Sequence, residues 1–156
     1  MNKLFKGSRR IGLLMLMSIL LVIGAGSVLA ADAQIARKDA GLQSYPVSGS
    51  STQIYKGALV CLNTSGYLVA GADTEGYRFV GVAYENILNT GSAGDKVCRV
   101  HTEGVFLLPA TSITQAMLGR KMFLVDDATV DESSTNKIEV GTLVSYESTT
   151  SGWVDI

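Results

Sequence analysis

From Gln53 to the last residue, the sequence is cut into apolar runs of four to seven residues, each bounded by clusters of Gly, Asn, Asp, Ser and Thr. Runs this short, and this often punctuated, suit strands joined by turns; a helix that buries one face needs a longer periodic stretch. The runs lie at 59–62, 67–70, 79–84, 97–100, 105–108, 122–125, 138–144 and 153–156. Asn63-Thr64-Ser65-Gly66 has the composition of a hairpin turn. Val97, Arg99 and His101 alternate with Cys98 and Val100, as in a half-buried strand. One helical segment of one or two turns is expected over 112–118, opening after Pro109 and closed by Gly119.

The runs fall into an internal repeat. Gly57-Ala58-Leu59-Val60-Cys61-Leu62-Asn63 matches Gly119-Arg120-Lys121-Met122-Phe123-Leu124-Val125, and Val80-Gly81-Val82-Ala83-Tyr84-Glu85 matches the stretch from Val140-Gly141 to Tyr146-Glu147. Gly94-Asp95-Lys96-Val97-Cys98-Arg99-Val100 then matches the shorter Gly152-Trp153-Val154-Asp155-Ile156. The offsets are 62, 60 and 58 residues, in the same order. Two copies of one strand unit imply an all-β fold: a small pseudo-symmetric barrel or sandwich of about eight short strands and one short helix, each half covering the other's apolar face.

Ahead of this domain, residues 1–10 carry Lys3, Lys6, Arg9 and Arg10 and no acid. An uncharged, mostly apolar stretch follows from Ile11, and Val28-Leu29-Ala30 ends it with small residues at a cleavage site's −3 and −1 positions. These are the three parts of a secretory signal peptide over residues 1–30, a better reading than a retained anchor because Gly24, Gly26 and Ser27 weaken the far end. The expected mature protein is secreted, extracellular or at the cell surface, and meets the membrane only during export. Its 14 acids and 9 remaining bases give a net charge of −5, with no basic cluster, which argues against nucleic-acid binding. Residues 31–52 are polar and small-residue rich and read as an extended N-terminal arm or linker, with the β domain at 53–156. Ile35, Leu42, Tyr45 and Val47 are the arm's apolar docking candidates. An exposed arm of this kind can add a strand to a neighbour's sheet.

Chemistry is sparse. His101 is the single histidine, no Gly-x-Ser-x-Gly surrounds any serine, and a strand residue facing solvent is the preferred reading of it. Asp126-Asp127 and Asp131-Glu132 lack the spacing of a calcium loop and read as solvated turn charge. The glycines from 71 to 81 are followed by no Lys-Ser/Thr and frame no phosphate cradle. Trp153 and the six tyrosines suit strand packing better than a sugar platform. Asn63-Thr64-Ser65 fits an N-glycosylation acceptor and equally a turn. Cys61 and Cys98, in an oxidising compartment, allow either a disulfide or two buried free thiols. No catalytic, cofactor-binding or metal-ligating residue is expected, and the chain is not expected to be an enzyme.

Gly57-Ala58-Leu59-Val60, Val80-Gly81-Val82-Ala83, Gly94-Asp95-Lys96-Val97, Glu103-Gly104-Val105, Pro109 before a short helix, and Val140-Gly141 together carry a likeness. Over residues 53–156 the chain resembles the family of small phage head decoration (capsid cement) proteins. The resemblance implies a compact β-barrel that binds on or between copies of a repeating assembly, without catalysis. The leader departs from that family, whose members work in the cytoplasm. It points to the same kind of domain outside the cell: a subunit that forms a homo-oligomer or polymer, as a filament, sheath or coat. Secreted adhesin, carbohydrate-binding module and decoration of another scaffold are the alternatives.

Overall fold

The computed structural model describes residues 41–156. The expected signal peptide and the first part of the expected arm, with Ile35, lie outside the described residues. The all-β expectation is borne out, with more strands than the apolar runs alone mark. One five-stranded sheet has the order β1-β7-β5-β3-β4, from β1 (Leu42–Pro46), β3 (Leu59–Leu62), β4 (Leu68–Ala70), β5 (Arg78–Ala83) and β7 (Val97–His101). A second has the order β10-β9-β11-β12-β8, from β8 (Val105–Pro109), β9 (Lys121–Leu124), β10 (Val130–Asp131), β11 (Glu139–Ser148) and β12 (Ser151–Asp155). β2 (Thr52–Ile54) and β6 (Ile87–Asn89) form a two-stranded ribbon beside the first. The expected helix is a single 3-10 turn, Gln115–Met117.

The two sheets are one pattern used twice. Read from the edge, β1, β7, β5, β3 and β4 correspond to β8, β12, β11, β9 and β10. Gly57 N donates to Ala83 O at 2.8 Å, and Gly119 N donates to Leu143 O at 2.8 Å. The β3/β5 ladder skips Val80, and the β9/β11 ladder skips Val140, so each half carries the same bulge at its Val-Gly pair. Each sheet curls until the residue after its first strand reaches its last. Val47 bridges Leu68 in parallel, and Ala110 bridges Val130 in parallel. The third sequence match finds the right strands in the wrong register. Val82 pairs with His101 and Thr142 with Asp155, so β7 and β12 correspond at an offset of 54 residues, not 58.

The boundary of the domain also moves. Leu42 and Tyr45 lie in β1, which pairs with β7 of the same chain as Leu42↔His101 through Pro46↔Val97. Val47 is fully buried. These three arm residues therefore belong to their own domain, which begins before Gln53. The missed signal is the likeness of β1 to β8: both are five residues long and both end in Pro, Pro46 and Pro109. Gln43 and Ser44 hid it, because a polar strand on a sheet edge has no apolar run.

Two clusters form the core. One gathers Met122, Leu124, Val130, Val140, Leu143 and Val154 of the second half with Leu59, Cys61 and Val82 of the first. The other gathers Val47, Ile54, Val60, Leu68, Ala83, Cys98 and Val100. β3 is buried on both faces, since Leu59 and Cys61 enter one cluster and Val60 the other. Cys61 and Cys98 thus sit in different clusters, and both are free thiols, so the disulfide is not formed. Asn89 is the one fully buried polar side chain among the described residues. Its amide nitrogen donates to the carbonyls of Val47, Ser48 and Ser92 at 3.2, 2.9 and 2.8 Å, and its oxygen accepts from Gly91 N at 3.1 Å. These four bonds pin the segment after β1 against the loop after β6. The halves are also clasped by loops: the Asp73 carboxylate accepts from the backbone N–H groups of Thr135 and Asn136 at 2.8 and 3.0 Å.

Candidate interaction surface

The residues that the sequence offered for chemistry are dispersed or structurally employed. Asp126 Oδ1 accepts from the N–H groups of Ala128 and Thr129 at 2.9 and 2.7 Å, shaping the turn into β10. Glu132 pairs with Arg120 at 3.0 Å. Asn63 Oδ1 accepts from Ser65 N and Tyr67 N, both at 3.0 Å, which makes it the anchor of the β3–β4 hairpin. Among the described residues no group of three His, Cys, Asp or Glu side chains is placed to hold a metal ion. The aromatics do not converge on one platform: Tyr77 and Tyr146 pack on one core cluster and Tyr45 on the other.

Around His101 the outer face of the first sheet carries a polar-aromatic cluster. The His101 ring meets Tyr84 edge-on at 5.4 Å and Phe106 at 5.9 Å. The Arg99 guanidinium lies 4.5 Å over the Tyr84 ring, and Lys56 Nζ lies 5.8 Å from it. Arg99 also grips Glu85 with two side-chain hydrogen bonds, Nε to Oε1 at 3.1 Å and Nη2 to Oε2 at 2.9 Å, and its backbone N–H adds a third at 3.1 Å. These bonds hold the Glu85 carboxyl at about 2, below the ordinary carboxylate range. Arg99 is thereby committed to Glu85, and His101 has aromatic neighbours, not a nucleophile to activate. The buried thiols are shifted the other way: desolvation pushes Cys61 up to about 11 and raises Cys98 as well. Neither is a ready thiolate at neutral pH.

The second sheet presents a different surface at the equivalent place. On β8 and β12 the outward side chains are Val105, Leu107 and Pro109 beside Ser151, Trp153 and Asp155, with Trp153 paired to Leu107. Val105, Leu107 and Trp153 are 50%, 46% and 37% exposed, an apolar row on the face of an edge strand. The Trp153 indole N–H donates to Glu147 Oε2 of β11 at 3.2 Å, which ties the ring to the strand on the other side of β12.

The backbone of β8 is also open. Ile156 N donates to Gly104 O at 3.0 Å and Ala110 N donates to Thr150 O at 2.9 Å, one bond at each end of the β8/β12 ladder. The register between them is unbroken, so the even-numbered residues exchange bonds with β12. The N–H and C=O groups of Val105 and Leu107 point to the free edge, which ends where Ala110 bridges Val130 in parallel and Thr111 N donates to Val130 O at 3.2 Å. No charged residue lies within β8, and Pro109, which lacks an N–H, is its sole blocking residue. Sequence reading marked 105–108 as a strand; the alternation that separates Leu107 from buried Leu108 is too short to reveal which strand ends the sheet. Comparison with protein-family models, with curated proteins and with solved structures finds no match to this chain.

Proposed function

We propose that this chain is an exported structural subunit that assembles with copies of itself outside the membrane. One observation carries the reading: β8 is an open sheet edge whose exposed side chains, Val105 and Leu107 with Trp153 alongside, are apolar. Unpaired strand groups are satisfied by another extended chain, and a row of exposed apolar side chains gains by being covered. The leader and the resemblance to capsid cement proteins support the same direction. So does the use of the polar side chains described above in turns, loop clasps and ion pairs.

The test is to purify residues 31–156 and follow them by sedimentation velocity and negative-stain electron microscopy over a range of concentrations. Regular filaments, sheets or tubes are expected. Leu107→Lys, which places a charge at the centre of the edge, should raise the concentration at which they form by tenfold or more without changing the circular dichroism spectrum. A monomer at every concentration overturns the reading and favours a module that decorates a scaffold built by other subunits.

A further inference from the structure

The open part of β8 is short, and both of its ends are fixed. Gly104, at φ of 130°, takes the chain out of extended conformation just before Val105. At the other end the bridge from Ala110 to Val130 closes the edge at Pro109, which has no N–H to offer. Among the described residues, this leaves four open backbone groups on the edge: the N–H and C=O of Val105 and those of Leu107. Two donors and two acceptors, on residues two apart, are the complement of the same set turned through half a rotation. Resting on the self-assembly reading above, we infer that β8 pairs with β8 of a second copy, antiparallel and about a two-fold axis at Phe106, so that Val105 of each copy faces Leu107 of the other.

Counting the groups sets the register. With the axis at Phe106, each Val105–Leu107 pair exchanges both N–H···O=C bonds, and the two pairs together use every open group of both copies. An axis at Leu107 uses only the groups of that residue and sets Val105 against Pro109. An axis at Val105 sets Leu107 against Glu103, on the far side of the bend at Gly104. The side chains agree with the first arrangement. On the outer face Trp153 and Leu107 of one copy continue into Val105 and Asp155 of the other, and the symmetric row runs back beside them. On the other face the two Phe106 side chains, each partly buried against its own core, oppose one another as a non-hydrogen-bonded pair, the closer kind. β8 brings no charge to the joint, so no like charges are set against each other within it. A surface that pairs with itself about a two-fold axis closes. The joint therefore uses up β8 and makes a pair, and larger assemblies are built from such pairs through other surfaces.

Cysteine pairs test the register. Residues directly opposite in a hydrogen-bonded antiparallel pair have Cα atoms about 5.5 Å apart, within disulfide range. Val105 to Val105 and Leu107 to Leu107 are diagonal neighbours about 7–8 Å apart, beyond that range. Chains of residues 31–156 carrying Val105→Cys alone and Leu107→Cys alone are mixed and oxidised gently; the native thiols are buried in both. A disulfide-linked heterodimer is expected from the mixture, with at least tenfold less homodimer from either chain alone. Separately, Leu107→Pro deletes an N–H that β12 does not use, a change that edge strands tolerate. It should weaken pairing by tenfold or more in sedimentation equilibrium and leave the circular dichroism spectrum as it was. Homodimers as abundant as the heterodimer, no link in any mixture, or folded Leu107→Pro chains that pair as the parent does overturn the inference. Pairs with nothing larger leave the inference standing and remove the filament, sheath or coat, whereas regular filaments that form without the Val105–Leu107 link do the reverse.

Discussion

Gly81 and Gly141 hold equivalent places in the two halves. At each, a side chain would collide with the carbonyl of a neighbouring strand: His101 O in the first half and Asp155 O in the second. The bulge at Val80 and Val140 brings these backbones together, so the glycine belongs to the repeat and not to either half. Because the obstacle is backbone, it cannot rotate away. Gly81→Ala and Gly141→Ala should each cost about 2–4 kcal/mol, as do other changes that force packed backbone apart. Gly81→Ala should cost more, since Gly81 also has φ of 146°. Urea unfolding of the two variants measures both statements.

Asn89 is expected to be the most costly polar residue to lose. Asn89→Ala removes four hydrogen bonds at a fully buried position and leaves backbone groups without partners. A loss of about 2–4 kcal/mol follows from the cost of unsatisfied buried groups. Asn89→Asp keeps the shape but cannot donate to three carbonyls, so it should be no better than Asn89→Ala in the same unfolding experiment.

The Glu85–Arg99 pair predicts a pH dependence with a definite sign. The Glu85 carboxyl is lowered from an ordinary 4.5 to about 2 by the Arg99 side-chain bonds first and its backbone N–H second. A lowered folded-state value stabilises the fold above the unfolded value, and that gain is lost as pH falls through the folded one. The difference in melting temperature between the parent and Glu85→Gln should therefore be constant above about pH 5, shrink between about 4.5 and 2, and vanish below. The pair is solvent-exposed, so the effect should also shrink in high salt. A difference that persists at the acid end would assign the stabilisation to something other than the carboxylate charge.

Cys61 and Cys98 should be silent toward thiol reagents in the native protein. Burial raises both, Cys61 to about 11, and each is enclosed by a separate part of the core. An aromatic disulfide reagent at pH 8 should find no fast-reacting thiol in buffer and two in concentrated urea. Two thiols reacting at once in buffer would contradict their burial, and none in urea would mean that a disulfide had formed.

Much of this fold can be read in the sequence because it is written twice. The Val-Gly bulge and the strand opened by Gly57 and Gly119 recur at nearly constant spacing, and the structure uses them identically. The β12 register was misread because the matched glycines serve different ends. Gly94 turns the chain ahead of β7 with φ of 90°, whereas Gly152 sits within β12, where a side chain would strike Leu143 and Ile113. The cysteines were ambiguous for another reason. β3 is buried on both faces, so alternation cannot say which way Cys61 points. The open edge of β8 is a property of sheet order, and sheet order is set by contacts distant in sequence.

The hydrogen bonds from Thr102 to Gly41 and from Ile156 to Gly104 have one more consequence. They attach the first described residue and the last residue of the chain to the two ends of the same short link, residues 102–104. Gly41 and Ile156 thus meet the two ends of one three-residue link, Thr102 to Gly104. A circular permutant that joins Ile156 to Gly41 through about five added residues, enough to span roughly 17 Å, and opens the chain at Glu103 should fold to the same domain. It would carry no residues 31–40, and its melting temperature against that of the parent would show how little the order of the two halves matters.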